Sequence, residues 1–100
     1  MSNFHTLRVV NIEKETPNSV SVGFEIPEAL KTTFVHKAGQ YITIKHTTER
    51  GEIRRAYSIH SHPNSKLLKI GIKKIEGGSF SVFANETLKE GDTLEVMPPE

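Results

Sequence analysis

A chain of 100 residues makes one domain with one core. At this size folding buries roughly two-thirds of the unfolded surface. Thirteen basic against twelve acidic residues leave a net charge of +1, too even a balance for a bulk field toward nucleic acid or membrane. The absence of cysteine excludes disulfides, thiolate zinc sites, cysteine nucleophiles and cysteine-bound iron–sulfur clusters. No apolar run approaches the roughly 20 residues of a membrane span, and Met1 to Thr6 carries no apolar signal region. The expectation is a cytoplasmic protein with neither nucleic acid nor membrane as partner.

The dominant pattern along the chain is period two, which predicts strands. In the first run, Phe4 to Glu13, Leu7 and Val9 face one way and Val10 and Ile12 the other, a change of phase that a β-bulge near Val9 would produce. Thr16-Pro17-Asn18-Ser19 reads as a hairpin turn. In the second run Val20, Val22, Phe24 and Ile26 alternate with Ser19, Ser21, Gly23 and Glu25, and Pro27 ends it. Glu28 to Phe34 has the character of a helical turn. Ile42 and Ile44 mark a third strand, and Glu49 to Glu52 joins it to a fourth. His62-Pro63-Asn64-Ser65 leads into a fifth, where Leu68, Ile70 and Ile72 alternate with Leu67, Lys69, Gly71 and Lys73. Glu90-Gly91-Asp92 introduces a sixth, carrying Leu94 and Val96.

One segment has the helical period instead. Phe80, Phe83, Ala84, Thr87 and Leu88 recur at i, i+3, i+4, i+7 and i+8. Ser79 is placed to cap the first turn, and Asn85 and Glu86 would face solvent. The predicted helix spans Ser79 to Leu88. Six short strands cannot hide their apolar faces as an open sheet, so the expected fold is all-β. It is a six-stranded antiparallel Greek-key barrel, with one short helix between strands 5 and 6 covering an open end.

The stretch most informative about chemistry is Arg54-Arg55-Ala56-Tyr57-Ser58-Ile59 in the fourth strand. Alternation sets Arg55, Tyr57 and Ile59 on one face, with guanidinium and phenol two residues, roughly 7 Å, apart. A guanidinium grips phosphate by a two-pronged charge-assisted hydrogen bond. A phenol offers a flat surface to a conjugated ring. The bland alternative is two surface arginines and a strand tyrosine. A second element, Gly77-Gly78-Ser79-Phe80-Ser81, opens the helix, where glycines allow close backbone approach and unpaired N–H groups favour an anion. Its bland alternative is an ordinary turn into a helix. The two elements are independent in sequence, and both suit phosphate.

These residues resemble the FAD-binding barrel of the ferredoxin–NADP reductase superfamily. That family carries Arg-x-Tyr-Ser/Thr on its fourth strand, matched by Arg55-Ala56-Tyr57-Ser58. Its glycine-led helix start is matched by Gly78-Ser79-Phe80-Ser81. Gly39-Gln40-Tyr41 opens the third strand as the family commonly does, and Gly91-Asp92 precedes the sixth. Within the superfamily the wording is similar to reductases that feed electrons to multicomponent oxygenases, such as the reductase subunits of phenylacetyl-CoA epoxidases. Here the similarity lies in Ile72-Lys73-Lys74-Ile75-Glu76-Gly77-Gly78 and Leu94 to Pro99.

The resemblance implies FAD as cofactor. Arg55 would bind its pyrophosphate and Tyr57 would lie against the flavin. Ser58 would approach flavin N5 as the catalytic position, and Ala56 belongs to the same motif. Strict alternation turns the Ser58 side chain away from Tyr57, so either the strand bends there or the contact uses backbone. Ile72 and Lys73 would meet the flavin pyrimidine edge through their backbone. Gly78, Ser79, Phe80 and Ser81 would hold the pyrophosphate at the helix start. Ser61 and Pro63 resemble the family's Ser-x-Pro segment.

The resemblance also implies the wider reaction: electrons from NAD(P)H, passed to a ferredoxin-type domain or an oxygenase component, with a place in phenylacetate degradation. Family enzymes continue into a nicotinamide-binding domain, whereas no G-x-G-x-x-G fingerprint is present here. The expectation is therefore that residues 1–100 are an FAD-binding domain excised from a longer enzyme and not competent alone. The alternative reading is a small barrel of the oligonucleotide-binding type, holding nucleic acid or another ligand without flavin. A metal site is not expected: His60 and His62 form a pair without a third ligand. His5, His36 and His46 read as surface residues. Lys66, Lys69, Lys73 and Lys74 read either as a solvated face or as a docking patch for phosphate or an acidic partner.

Overall fold

The computed structural model describes residues 3–100. Met1 and Ser2, from the amino-terminal stretch read as lacking a signal region, lie outside the described residues. The elements in chain order are β1 (His5–Thr16), β2 (Ser19–Glu25), a 3-10 turn (Glu28–Leu30), β3 (Tyr41–Thr48), β4 (Gly51–Ser58), β5 (Leu67–Lys73), α1 (Phe80–Glu86) and β6 (Thr93–Val96). The six strands form one antiparallel sheet in the order β4-β3-β6-β1-β2-β5. β6 inserts between β1 and β3, the crossing that a Greek key requires.

The phase change in the first strand is a bulge. Val9 pairs with Phe24 and Asn11 with Gly23, so Val10 is the extra residue. The bulge returns Ile12 to the core side, opposite Val22, where it packs against the core. The turn before β6 fills the irregularity: Val9 N–H donates to Asp92 O (2.8 Å) and Gly91 N–H to Val9 O (2.7 Å). The hairpin turn falls on Pro17-Asn18 as expected, with Thr16 Oγ1 accepting from Asn18 N–H (3.2 Å).

Leu7, Val9, Val22, Phe24, Ile42, Ile70, Ile72 and Val96 are fully enclosed and form the centre of the core. β2 departs from the alternation read in its sequence, because Ser21 and Gly23 are buried as well. His60 folds over Ser21 (Nε2 to Oγ, 3.1 Å), and Asn11 and Leu67 close over Gly23.

The all-β, six-stranded antiparallel architecture with one helix between β5 and β6 stands. Closure is narrower than a full barrel. The sheet's two edges, β4 and β5, share a single bridge among the described residues, Ile59–Ile70, beside a hydrogen bond from His60 N–H to Lys69 O (3.0 Å). The sheet therefore rolls until its edges touch at one end, and β4 and β5 part toward the other.

The helix is shorter than its periodicity predicts, Phe80–Glu86 instead of Ser79–Leu88. Phe80 and Ala84 are buried, and Leu88 completes the apolar stripe just beyond the last turn, whereas Thr87 is exposed. Two further expectations are corrected. Ser79 makes no side-chain capping bond, because its own backbone is already helical (φ −85°, ψ −64°). Asn85 does not face solvent; it turns onto β5.

Candidate cofactor site

The two arginines of the fourth strand differ in their commitments. Arg54 is engaged: its Nε–H donates to Glu52 Oε2 at 2.7 Å and its guanidinium lies 5.0 Å from the Phe4 ring centroid. Arg55 is exposed and donates once, from Nη1–H to Arg54 O (2.8 Å). Among the described residues no carboxylate pairs with it. Its remaining donors are free to grip an anion.

Tyr57 is half-buried, and its ring centroid lies 5.8 Å from that of Phe80. Burial pushes its phenol pKa up, an effect the Arg55 charge partly offsets. His46 on β3 packs against Phe80 (5.3 Å) and Phe83 (4.7 Å). This aromatic cluster joins β3 and β4 to α1. It brings Tyr57, from one of the two sequence elements, against Phe80 of the other, with Arg55 two residues away on the same strand face.

The remaining sequence-predicted residues divide. Ala56, Ser58, Lys73 and Ser79 are exposed, and Gly78 is half-buried. Ile72, Phe80 and Ser81 are buried. β4 keeps unbroken register to Ser58, which pairs with Tyr41 while Tyr57 pairs with Ile42. No bend turns the Ser58 hydroxyl toward Tyr57, so any shared contact there uses the Ser58 backbone. In β5 the alternation that turns Lys69 O toward His60 also turns the backbone of Lys73 toward the opening beside β4, and that of Ile72 toward β2. Ser81 Oγ accepts from Ile75 N–H at 3.1 Å. That places Ser81 within the protein's own hydrogen bonding.

The glycine pair has a structural duty of its own. Gly77 adopts φ +78°, a conformation other residues rarely take. A Cβ on Gly78 would stand 2.6 Å from Ser81 Oγ and 2.9 Å from Ile75 O. A hollow of about 490 Å³ beside Gly77 is bordered by Asn18, Lys74, Glu76 and Glu86. Its two carboxylates make it a poorer seat for phosphate than the Arg55 side. A second cleft, about 260 Å³ among Ile26, Phe34, His36, Pro63 and Leu68, lies at the other end of β5 and contains Pro63 of the Ser-x-Pro segment but none of the residues expected to hold the cofactor.

The histidines depart from the surface reading. His36 is buried with Nε2 3.3 Å from Ser61 O, His46 is packed in the aromatic cluster, and His5 is half-buried edge-on to Phe34 (5.6 Å). Their burial depends on partners distant in sequence, so no local pattern announces it. His60 and His62 turn to different partners, Ser21 Oγ and Asn64 N–H. Of the lysine cluster, Lys69 pairs with Glu13 (3.9 Å) and Lys74 with Glu86 (3.1 Å).

The profile of the oxidoreductase FAD-binding domain family matches residues 6–100. The chain belongs to this family. Its cofactor class is FAD, its place is within the ferredoxin–NADP reductase superfamily, and the flavin-free oligonucleotide-binding type is set aside. The chain is 38% identical over its full length to a subunit of the 1,2-phenylacetyl-CoA epoxidase of Escherichia coli (strain K12). It is 32% identical, over 93% of its length, to the ferredoxin reductase component of 3-ketosteroid-9-alpha-monooxygenase from Rhodococcus rhodochrous. It spans 28% and 27% of those two proteins. The fold matches a ferredoxin NADP+ reductase from Neisseria gonorrhoeae, solved with bound FAD and NADP. The TM-score there is 0.84 at 23% identity, over all of this chain and 39% of the other. Phthalate dioxygenase reductase shares the fold as well, with a TM-score of 0.80 at 24% identity over 97% of this chain and 30% of the other.

The residues present fit the family's cofactor. The free guanidinium of Arg55 suits a pyrophosphate, the half-buried ring of Tyr57 suits a conjugated ring system, and the exposed Ser79 hydroxyl is not consumed as a cap. Among the described residues no helix is long and apolar enough to cross a membrane.

Proposed function

We propose that the chain is the flavin-holding domain of a longer NAD(P)H-dependent oxidoreductase, one that passes electrons to a ferredoxin-type centre or an oxygenase component. The observation that carries this reading is the half-buried Tyr57 ring against Phe80 at the start of α1, with the uncommitted Arg55 two residues away on the same strand face. Arg55 grips the pyrophosphate, with the first-turn N–H groups at Ser79 and Phe80 beside it. Tyr57 supports the flavin ring. The Ser58 and Lys73 backbones line the opening between β4 and β5, next to the reacting edge. Ala56 is small and leaves the strand face open. FAD, when bound, accepts electrons in pairs and releases them singly, which links a nicotinamide donor to a one-electron acceptor.

The likeness to one component of an epoxidase and to a monooxygenase reductase component supports an oxygenase as the acceptor, and the first of these supports phenylacetate degradation. The nicotinamide site and the acceptor would belong to chain beyond these residues. The test is a visible absorption spectrum of the protein after FAD is added and the sample desalted. Flavin bands that survive desalting are expected. A colourless protein whose melting temperature is also unmoved by FAD would overturn the assignment.

A further inference from the structure

Asn85, on the face of α1 that its sequence pattern assigns to solvent, does the opposite. Its Nδ2 donates to Ile72 O on β5 (3.1 Å) and to Ser81 O on α1 (2.9 Å). Two carbonyl acceptors fix the orientation of the amide, since an oxygen in that place would face oxygen. One helical turn earlier, on the same face of α1, Ser81 Oγ accepts from Ile75 N–H (3.1 Å). Gly78 N–H then returns to Ile75 O (2.8 Å). The exit of β5 is therefore tied to α1 at two heights, by Asn85 at Ile72 and by Ser81 at Ile75. Asn85 Oδ1 is buried with no hydrogen-bond partner, a cost that the two donated bonds offset.

From this geometry we infer that Asn85 is a positioning residue for the cofactor site. It sets the spacing between the two segments that flank the site, the Lys73 end of β5 and the first turn of α1. The connection between them, residues 74–79, contains Gly77 at φ +78° beside Gly78, and glycines alone would leave the helix start free to drift. The apolar stripe Phe80, Ala84 and Leu88 holds α1 down on the core. Non-directional packing of that kind permits sliding and rotation, whereas the Asn85 amide fixes register. The inference rests on the flavin-site reading above.

The experiment compares the parent protein with Asn85→Ala and Asn85→Gln by FAD titration and by amide hydrogen exchange without cofactor. Asn85→Ala is expected to weaken FAD binding at least tenfold. It should also speed exchange at Ile75 N–H while leaving Val22 and Phe24 in β2 protected. Asn85→Gln, which keeps a carboxamide, should recover part of both. A merely structural role would lower the melting temperature without moving the affinity of the folded fraction. If the parent binds FAD and Asn85→Ala binds it within twofold with Ile75 exchange unchanged, the positioning role is overturned and the flavin reading stands. If the parent takes no FAD, both fall.

Discussion

Arg54 and Arg55 are adjacent and chemically identical, yet only one is available to a ligand. Glu52 and the Phe4 ring occupy Arg54, while Arg55 bonds only its neighbour's carbonyl. Removing Arg55 should therefore act on binding and hardly on folding. Arg55→Ala is expected to weaken FAD binding by about 2–5 kcal/mol, as loss of a charge-assisted phosphate contact should. Arg54→Ala should change it far less, since Arg54 lies on the opposite strand face and its guanidinium is engaged by Glu52. Titration of both variants, read by flavin fluorescence, checks the contrast; equal losses would mean that the phosphate recognises the strand's charge and not Arg55. The motif was legible in the sequence because its residues are contiguous. The motif also singled out Arg55; what it did not show is the packing of Arg54 on Phe4, a ring 50 residues away.

Elements show the same division between local and distant causes. The bulge at Val10 was legible because four neighbouring apolar residues change phase within one strand. The helix was legible by period, but its cap was not: Ser79 is in helical conformation, and the turn is instead closed by Ser81 and Gly78 reaching back to Ile75. Gly78→Ala tests this. Its Cβ would stand 2.9 Å from a backbone oxygen, and moving Ser81 aside would strand the Ile75 N–H. A loss of about 1–3 kcal/mol is expected, measured by urea unfolding. His46 ties α1 to β3, and burial holds its pKa below the ordinary value. The folded state then prefers the neutral imidazole. The stability His46 contributes is present above pH of about 6.5 and is lost as pH falls through its lowered folded value. The melting temperature should fall more steeply from pH 7.5 to 5.0 in the parent than in His46→Phe; parallel curves would remove His46 as the cause.

For the whole molecule, the decisive feature is where the sheet fails to close. Sequence patterning predicts a closed barrel because six strands with apolar faces need to roll up. It cannot locate the seam, since closure depends on how β4 and β5 meet across the fold. They meet at Ile59–Ile70 and diverge toward α1, beside the Arg55–Tyr57 face. An open seam is a weak line: its edge strands carry unpaired backbone groups, and fewer contacts resist their separation. A ligand that touches β4, the end of β5 and α1 together would bridge that line, so cofactor binding should report as global stability. Mass action sets the size of the effect, about 2.7 kcal/mol at a hundredfold excess of FAD over its dissociation constant. Thermal melts at graded FAD concentrations should rise logarithmically with ligand. Because the bridge is mechanical as well as energetic, hydrogen exchange at Lys73 and along β4 should slow more than exchange in β1, which lies far from the seam. Uniform slowing across the sheet would show that FAD stabilises the fold without spanning the opening.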